Sequence, residues 1–527
     1  MTAPRFFNTT GPCNPQRHYM LPPADRLVGA QLHRYIKDQL YWVLHAARQM
    51  GKTTFLKSWM NEINTGGEAI ACYVSVETCQ GLTEPERAMP TICSAIQAYT
   101  RMSDMDIPEV PATSVGSMLS DTLIRWSELV APKPLIVLFD EVDVLEGEAM
   151  VSFLRQLRGG FASRGVGAFP VSVALVGMRD LKDYIVKTKD GKAINPGSPF
   201  NVKEDSASLS NFTKKDIAKL FAQRTAETGQ QITGDALGYV YEQSKGQPWI
   251  VNSLFMRATL RILDEDSTET VTIKHIEEAR QQMILARETH LDALAYRLED
   301  PGVRILIEKL ITGASDPSLA ESETFRICLD LGLVTTDNGT PQIANPIYRE
   351  VIARHLIYST QLAIPAPEWQ WQKPDGTLDM DGLLREFQAF WQTHSEEWEE
   401  MSNYSEAFPH LLLMAFLQRV TNGDGRIERE YAAGRGRMDL AVEYKNKWDI
   451  IEVKLLRKGQ TFDKVKETGI QQVLRYRNSF SPPLRPDGSL PTHCYLVIFD
   501  RRPEAAQIPW GDRLKWSTEG DVTIVAC

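Results

Sequence analysis

Tyr41-Trp42-Val43-Leu44-His45 is an apolar run that a chain buries as a β-strand. Ala46-Ala47-Arg48-Gln49-Met50-Gly51-Lys52-Thr53-Thr54 follows it without a break. A buried strand, a glycine turn ending in Gly-Lys-Thr and a following helix form the context of a phosphate-binding loop. Backbone amides of such a loop, at a helix N-terminus, cradle phosphates. Ala47, Arg48, Gln49, Met50, Gly51, Lys52, Thr53 and Thr54 are therefore candidate nucleotide-binding residues. Lys52 is expected on the β- and γ-phosphates and Thr53 on Mg²⁺. Ala46 stands where the pattern has its first glycine, a small residue in a place that needs one. A chance Gly-Lys-Thr in a surface turn is the alternative, and a second motif weighs against it.

That motif is Leu135-Ile136-Val137-Leu138-Phe139-Asp140-Glu141, an apolar strand ending in two carboxylates. Asp140 is expected in the Mg²⁺ shell and Glu141 beside the attacking water, with Asp143 a weaker candidate. Tyr41–Ala46, Ile70–Val76, Leu135–Phe139 and Val171–Val176 read as four buried strands alternating with helices such as Ser117–Leu129. That pattern predicts a parallel sheet covered on both faces. From Asn211 onward the pattern turns helical, over Thr213–Thr228, Thr233–Lys245, Trp249–Leu263 and Ile273–Leu298, as in a lid. Residues 302–356 combine short helices with a hairpin, Leu333–Ile343, turning at Asp337-Asn338-Gly339. That suits a winged helix.

Ala47–Thr54, Asp140-Glu141, Val176-Gly177-Met178-Arg179-Asp180 and Gly246-Gln247-Pro248-Trp249-Ile250-Val251-Asn252 together resemble prokaryotic AAA-type ATPases, in the archaeal and origin-recognition-like branch. The resemblance spans roughly residues 5–360. It implies ATP as cofactor and places Arg179 near the nucleotide, after the fourth strand. It also sets the Gly246–Asn252 helix start in the lid near the nucleotide. Gly11-Pro12 and His18-Tyr19 resemble that family's opening segment, which implies Tyr19 beside the adenine; plain core packing is the alternative for Tyr19. Arg155, Arg158 and Arg164 are candidates for a finger toward a neighbouring subunit, and a solvated face explains them equally.

The second constellation is Asp439 with Glu452-Val453-Lys454. Glu452 and Lys454 are two apart on a strand and share a face, while Val453 points to the other. With a two-residue turn at Lys445-Asn446, residue 444 pairs with 447, 442 with 449 and 439 with 452. Two carboxylates set so close repel unless a cation lies between them. Asp439 and Glu452 thus form a candidate site for Mg²⁺ or Mn²⁺, and Lys454 for the phosphate. A surface hairpin with an incidental ion pair is the alternative.

Glu428, Gly434-Arg435-Gly436-Arg437-Met438-Asp439, Ile451–Lys454, Gln472-Val473-Leu474-Arg475-Tyr476 and Val497-Ile498-Phe499-Asp500-Arg501-Arg502 resemble the PD-(D/E)XK nuclease domain, over about 404–527. The resemblance implies Gln472 close to the metal and adds Glu406 as a weaker ligand. Met438 stands in place of the motif's proline. The expected catalytic set is Glu141 in one half and Asp439, Glu452, Lys454 and Gln472 in the other.

The expected architecture is multidomain α/β. An N-terminal segment (1–30) precedes a P-loop core of AAA type (31–205), a helical lid (206–298) and a winged-helix-like domain (299–360). A linker and connecting helix (361–403) leads to an α+β, restriction-endonuclease-like domain (404–527). The chain has 527 residues and a net charge of −10, which is not the balance of a protein that coats nucleic acid. Residues 426–487 carry fourteen Lys/Arg against nine Asp/Glu, so a basic site on an acidic body is available to DNA, duplex DNA ahead of RNA. No stretch reaches the roughly 18–20 apolar residues of a membrane span. The seven cysteines form no CxxC, and Met1–Tyr19 is polar with three prolines, so the cytoplasm is the expected compartment. A homo-oligomer and a protein partner or trigger are further expectations. Two functions compete: an ATP-regulated DNA endonuclease acting against phage or mobile elements, and an ATP-dependent switch whose nuclease-like domain binds without cutting.

Overall fold

The computed structural model describes residues 4–102, 114–164, 167–179, 186–187, 193–194, 203–286, 297–311, 317–337, 339–363, 373–375, 377–400, 408–421, 425–433, 436–444, 447–479 and 493–527. Two compact units emerge. The first comprises residues 1–283 and 325–335, the second 284–324 and 336–527. The division falls inside the 299–360 segment expected as one winged-helix-like domain.

The first unit is built on a sheet with strands β1 (Leu27–Val28), β2 (Tyr41–His45), β3 (Ile70–Ser75), β4 (Leu135–Asp140), β5 (Ser172–Gly177) and β8 (Lys203–Leu209), in the order β1-β8-β2-β5-β4-β3. A separate ribbon pairs β6 (Val186–Lys187) with β7 (Ala193–Ile194). All sheet pairs except β1–β8 are parallel. Alternation along each strand feeds two cores. Val43, Val74, Val137, Phe139, Val173 and Leu175 face one. Trp42, Leu44, Ala71, Ile136, Leu138, Ala174 and Val176 face the other, where Phe55, Leu56 and Trp59 pack from helix α2 (Lys52–Gly66). Burial on both faces is why these strands read as unbroken apolar runs.

Four strands fall where the sequence places them. Two strands of the sheet are missed: β1, which is only two residues long, and β8, because Lys203-Glu204-Asp205-Ser206 lacks an apolar run; Ala207 and Leu209 are its buried core residues among the described side chains. The helical segment expected as a lid follows at once. Its first helix, Lys214–Thr228, opens with a capping box between Thr213 and Asp216. Gly234–Ser244 and Pro248–Met256 come next, then a π-helical turn (Arg257–Ile262) and Ile273–Leu285. Residues 287–296 of the expected fourth lid helix lie outside the described residues.

In 299–360 the order is helix Pro301–Ile311, helix Glu323–Asp330, strands β9 (Val334–Asp337) and β10 (Thr340–Ile343), then helix Pro346–Ala363. The linker tryptophans Trp369 and Trp371 lie outside the described residues.

The second unit carries a six-stranded sheet in the order β11 (Gly425–Ala433), β12 (Gly436–Tyr444), β13 (Lys447–Leu456), β14 (His493–Asp500), β16 (Val522–Ala526), β15 (Trp516–Glu519). β11 to β13 form an antiparallel meander, and β13, β14 and β16 run parallel. A parallel pair needs a crossover, supplied here by helix Phe462–Ser479. Its Val465 and Val473 pack on Leu456, Leu496 and Ile498. Gly469 lets it come close, since a Cβ there would meet a Leu496 methyl at 2.5 Å. Helix Phe408–Thr421 precedes the meander.

Candidate functional site

β2 delivers the chain to the loop expected to bind phosphate. Gln49 (φ 59°) and Gly51 (φ 93°) are left-handed, so the backbone curls around buried Met50 before α2 begins at Lys52. Arg48 and Gln49 are exposed. Lys52 is 8% exposed, and its Nζ donates to the carbonyls of Ala46 (2.8 Å) and Ala47 (3.1 Å). Burial pulls its pKa down, and the nearby carboxylates of Glu141, Asp143 and Asp140 oppose that pull. Thr54 faces away from this group, its hydroxyl accepting from the Cys13 amide at 3.0 Å.

β4 ends beside β3 and β5, and its last residue meets the loop. Thr53 Oγ1 donates to Asp140 Oδ2 at 2.6 Å, and Tyr73 Oη from β3 donates to the same oxygen at 3.1 Å. Asp140 Oδ1 accepts from the Glu141 amide. Glu141 is left-handed (φ 62°), a conformation that bends the chain sharply after the strand. Burial, then the Asp140 charge, pushes the Glu141 carboxyl up. Burial also raises the Asp143 carboxyl, which lies against Gly177; a Cβ there would sit 3.0 Å from its Oδ1. A hydroxyl and a carboxylate oxygen side by side are the hard donors Mg²⁺ takes, so the residues present fit that ion.

Arg179, two residues past β5, forms an ion pair from Nε to Asp330 Oδ2 at 3.1 Å. Asp330 ends the helix Glu323–Asp330. Just beyond it, Gly332 approaches the loop so closely that a Cβ there would lie 2.7 Å from that of Ala47. Residues 325–335 are thus part of this site's wall, which sequence patterning does not reveal.

Tyr19 is fully buried among aromatic rings. Its ring lies 4.9 Å from Phe7, which in turn contacts Phe221 and Phe255 of the lid. It sits in the lid's core, with no open face for a base. The opening segment does reach the site, through Cys13 on Thr54 and through Thr9, whose carbonyl accepts from Trp249 Nε1 at 2.9 Å. Of the finger candidates, Arg164 is tied inward. Its Nη1 donates to Gln39 O and Val171 O, and its guanidinium lies 3.7 Å from the Phe161 ring centroid. Arg155 is exposed.

In the second unit the expected register holds as far as the ladder runs: Tyr444↔Lys447, Val442↔Asp449, Leu440↔Ile451. The next pair in that register is Asp439 with Glu452; the Asp439 side chain lies outside the described residues, as does Glu406. Trp448, Ile450 and Leu456 pack beneath helix Phe462–Ser479. By alternation Glu452 and Lys454 share that face. Glu452 is 2% exposed and ion-paired to Lys454 Nζ. Gln472 belongs to the covering helix, and its Oε1 is buried with no hydrogen-bond partner among the described residues. A buried carboxylate, an amide oxygen and a lysine are a donor set that suits a hard cation and a phosphate. Among the described residues no three His, Cys, Asp or Glu side chains cluster for a metal.

No protein-family model matches the chain, and no curated protein does. Solved structures with similar chains include a Walker-type ATPase of Pyrococcus abyssi, at 13% identity and a TM-score of 0.47, covering 66% of this chain and 99% of that one. Cdc6p of Pyrobaculum aerophilum is similar at 12% identity and a TM-score of 0.36, covering 62% and 91%. The RuvB Holliday junction branch migration motor of Thermotoga maritima is similar at 13% and 0.31, covering 59% and 88%. Among the described residues no helix is long and apolar enough to cross a membrane.

Proposed function

We propose that this chain binds ATP with Mg²⁺ at the Ala47–Thr54 loop and hydrolyses it. The observation that carries this reading is the contact of Thr53 with Asp140, beside buried Lys52 and ahead of Glu141. Amides of the loop and Lys52 hold the phosphates, and Thr53 and Asp140 hold the metal. Bound Mg²⁺ neutralises charge on the phosphates. Glu141, its carboxyl raised by burial, orients the water and takes its proton. Arg179 contributes a second cation once it leaves Asp330. Glu141→Gln tests the assignment: nucleotide binding persists while turnover falls by about two orders of magnitude or more. Unchanged turnover moves the base elsewhere.

The second unit is proposed to be a divalent-metal-dependent DNA nuclease of the PD-(D/E)XK type. Buried Glu452 and its partner Lys454 on one face, with Asp439 next in register, support the reading, as does the unpartnered Gln472 oxygen on the helix that covers the sheet. A role against phage or mobile elements comes from the sequence resemblance alone. Control of cutting by ATP is supported by residues 325–335. They wall the nucleotide site and are continuous at both ends with the second unit's chain. The test is linear, circular and single-stranded DNA, and RNA, incubated with Mg²⁺ or Mn²⁺, with and without ATP. Cleavage lost in Glu452→Ala supports a nuclease; binding without cleavage in the wild type favours a switch.

A further inference from the structure

Arg26 ends a 3-10 turn (Pro23–Arg26) ahead of β1 and belongs to none of the motifs above. It is 8% exposed, and it spends its donors on backbone carbonyls. Nη2 donates to Met50 O at 2.6 Å, and Nη1 donates to Ser210 O at 3.0 Å. The Ser210 amide and hydroxyl return bonds to the Arg26 carbonyl, at 2.9 and 3.1 Å. The guanidinium also lies over the Phe212 ring, 5.0 Å from its centroid. Burial lowers its pKa to about 10, so it stays a cation at neutral pH.

Two consequences follow from where these carbonyls stand. Met50 O belongs to the peptide that also carries the Gly51 amide. In a planar trans peptide the C=O and N–H point in opposite directions. A guanidinium holding the carbonyl on one side therefore aims the Gly51 N–H to the other, and polarises it as a donor. Glycine suits the approach: the left-handed φ of 93° is strained for other residues, and a Cβ on residue 51 would sit 2.9 Å from Nη2, so the guanidinium would have to shift. Ser210 lies in the connection between β8 and the helix Lys214–Thr228. Two residues on, the Phe212 amide donates to Gly246 O at 2.8 Å, directly before the lid helix Pro248–Met256.

We propose that Arg26 is a positioning residue: it aims the Gly51 amide into the phosphate cradle and ties that orientation to the Ser210–Phe212 connection, so loop and lid answer nucleotide together. The proposal rests on the nucleotide reading of the loop. The bond from Arg26 to Met50 O is made without nucleotide too, so only the share of its worth that pre-aims the amide enters binding, which caps the loss at on the order of 100-fold in affinity.

The test uses the full chain, with MgADP and MgATP titrated into wild type, Lys52→Ala, Arg26→Met and Arg26→Lys. Melting without nucleotide and hydrogen exchange with and without it are recorded for each. Arg26→Met is expected to lose affinity for both nucleotides, by several-fold up to on the order of 100-fold. Arg26→Lys keeps the charge and one bond, so it should recover most of that affinity. Lysine lacks the planar fork by which Nη1 and Nη2 reach the two carbonyls from opposite arms, so nucleotide should protect the 46–54 peptide in Arg26→Lys and fail to protect 208–217, which it protects in wild type. If Arg26→Met unfolds, the exchange pattern of Arg26→Lys decides. Wild-type affinity in Arg26→Met, wild-type protection at 208–217 in Arg26→Lys, or losses in both variants that merely track their melting temperatures overturns the proposal. Wild type that binds no nucleotide overturns the loop reading itself, and Arg26 falls with it.

Discussion

Asp330→Asn removes a charge from the proposed nucleotide site while keeping the shape of the side chain. Arg179 and Asp330 are 20% and 18% exposed and 3.1 Å apart. Fully exposed pairs are worth about 0.2–1 kcal/mol, and bonds to charged groups about 1.5–3 kcal/mol. A pair four-fifths buried falls between, at about 1–2 kcal/mol. If Arg179 must leave Asp330 to meet the terminal phosphate, that energy opposes ATP. Its removal should tighten ATP binding by roughly 5- to 30-fold. ADP lacks that phosphate and should bind unchanged. The same change should lower the nucleotide-free melting temperature by a few degrees, at roughly 2–4 °C per kcal/mol for a unit of this size. Competition of ATP and ADP against a fluorescent nucleotide reads both affinities. Equal affinities in wild type and variant, or parallel weakening of ATP and ADP, would show that the pair is scaffolding alone.

Two further changes probe the packing. Gly246→Ala should destabilise the lid by about 3 kcal/mol or more, from left-handed strain plus a lost backbone bond. Gly246 has φ +78°, and a Cβ would lie 1.9 Å from Phe212 O. A denaturation midpoint within error of wild type would contradict that geometry. The His493 Nδ1 to Asp449 Oδ1 bond (3.0 Å) raises the histidine's pKa, outweighing burial. A raised folded-state pKa gives stability that is complete below the unfolded value, about 6.5, and lost as pH rises through the folded value. Melting of the second unit should therefore weaken from pH 6 to 8, and Asp449→Asn should flatten that trend. His493 is half exposed, so the effect is small.

What was legible in the sequence had a physical reason to be. Strands buried on two faces must be apolar throughout, so β2 to β5 announced themselves. The β12–β13 register followed from a two-residue turn and the identity of Lys445-Asn446. β8 escaped because a strand opening Lys203-Glu204-Asp205-Ser206 has no apolar run to show. For Tyr19 the resemblance implies a place beside the base and simple core packing is the alternative; its burial against Phe7, which packs on Phe221 and Phe255, accords with the second. Arg26 and Asp330 were invisible because their partners lie 24 and 151 residues away in sequence. No local spacing encodes such contacts.

Calorimetric titration of MgATP into the full chain, beside Lys52→Ala, tests the nucleotide site most directly. Saturable binding near one site per chain is expected in the wild type. In the variant it should be lost, with the melting temperature held close to wild type. No binding in the wild type, or equal binding in the variant, would contradict the assignment of the Ala47–Thr54 loop.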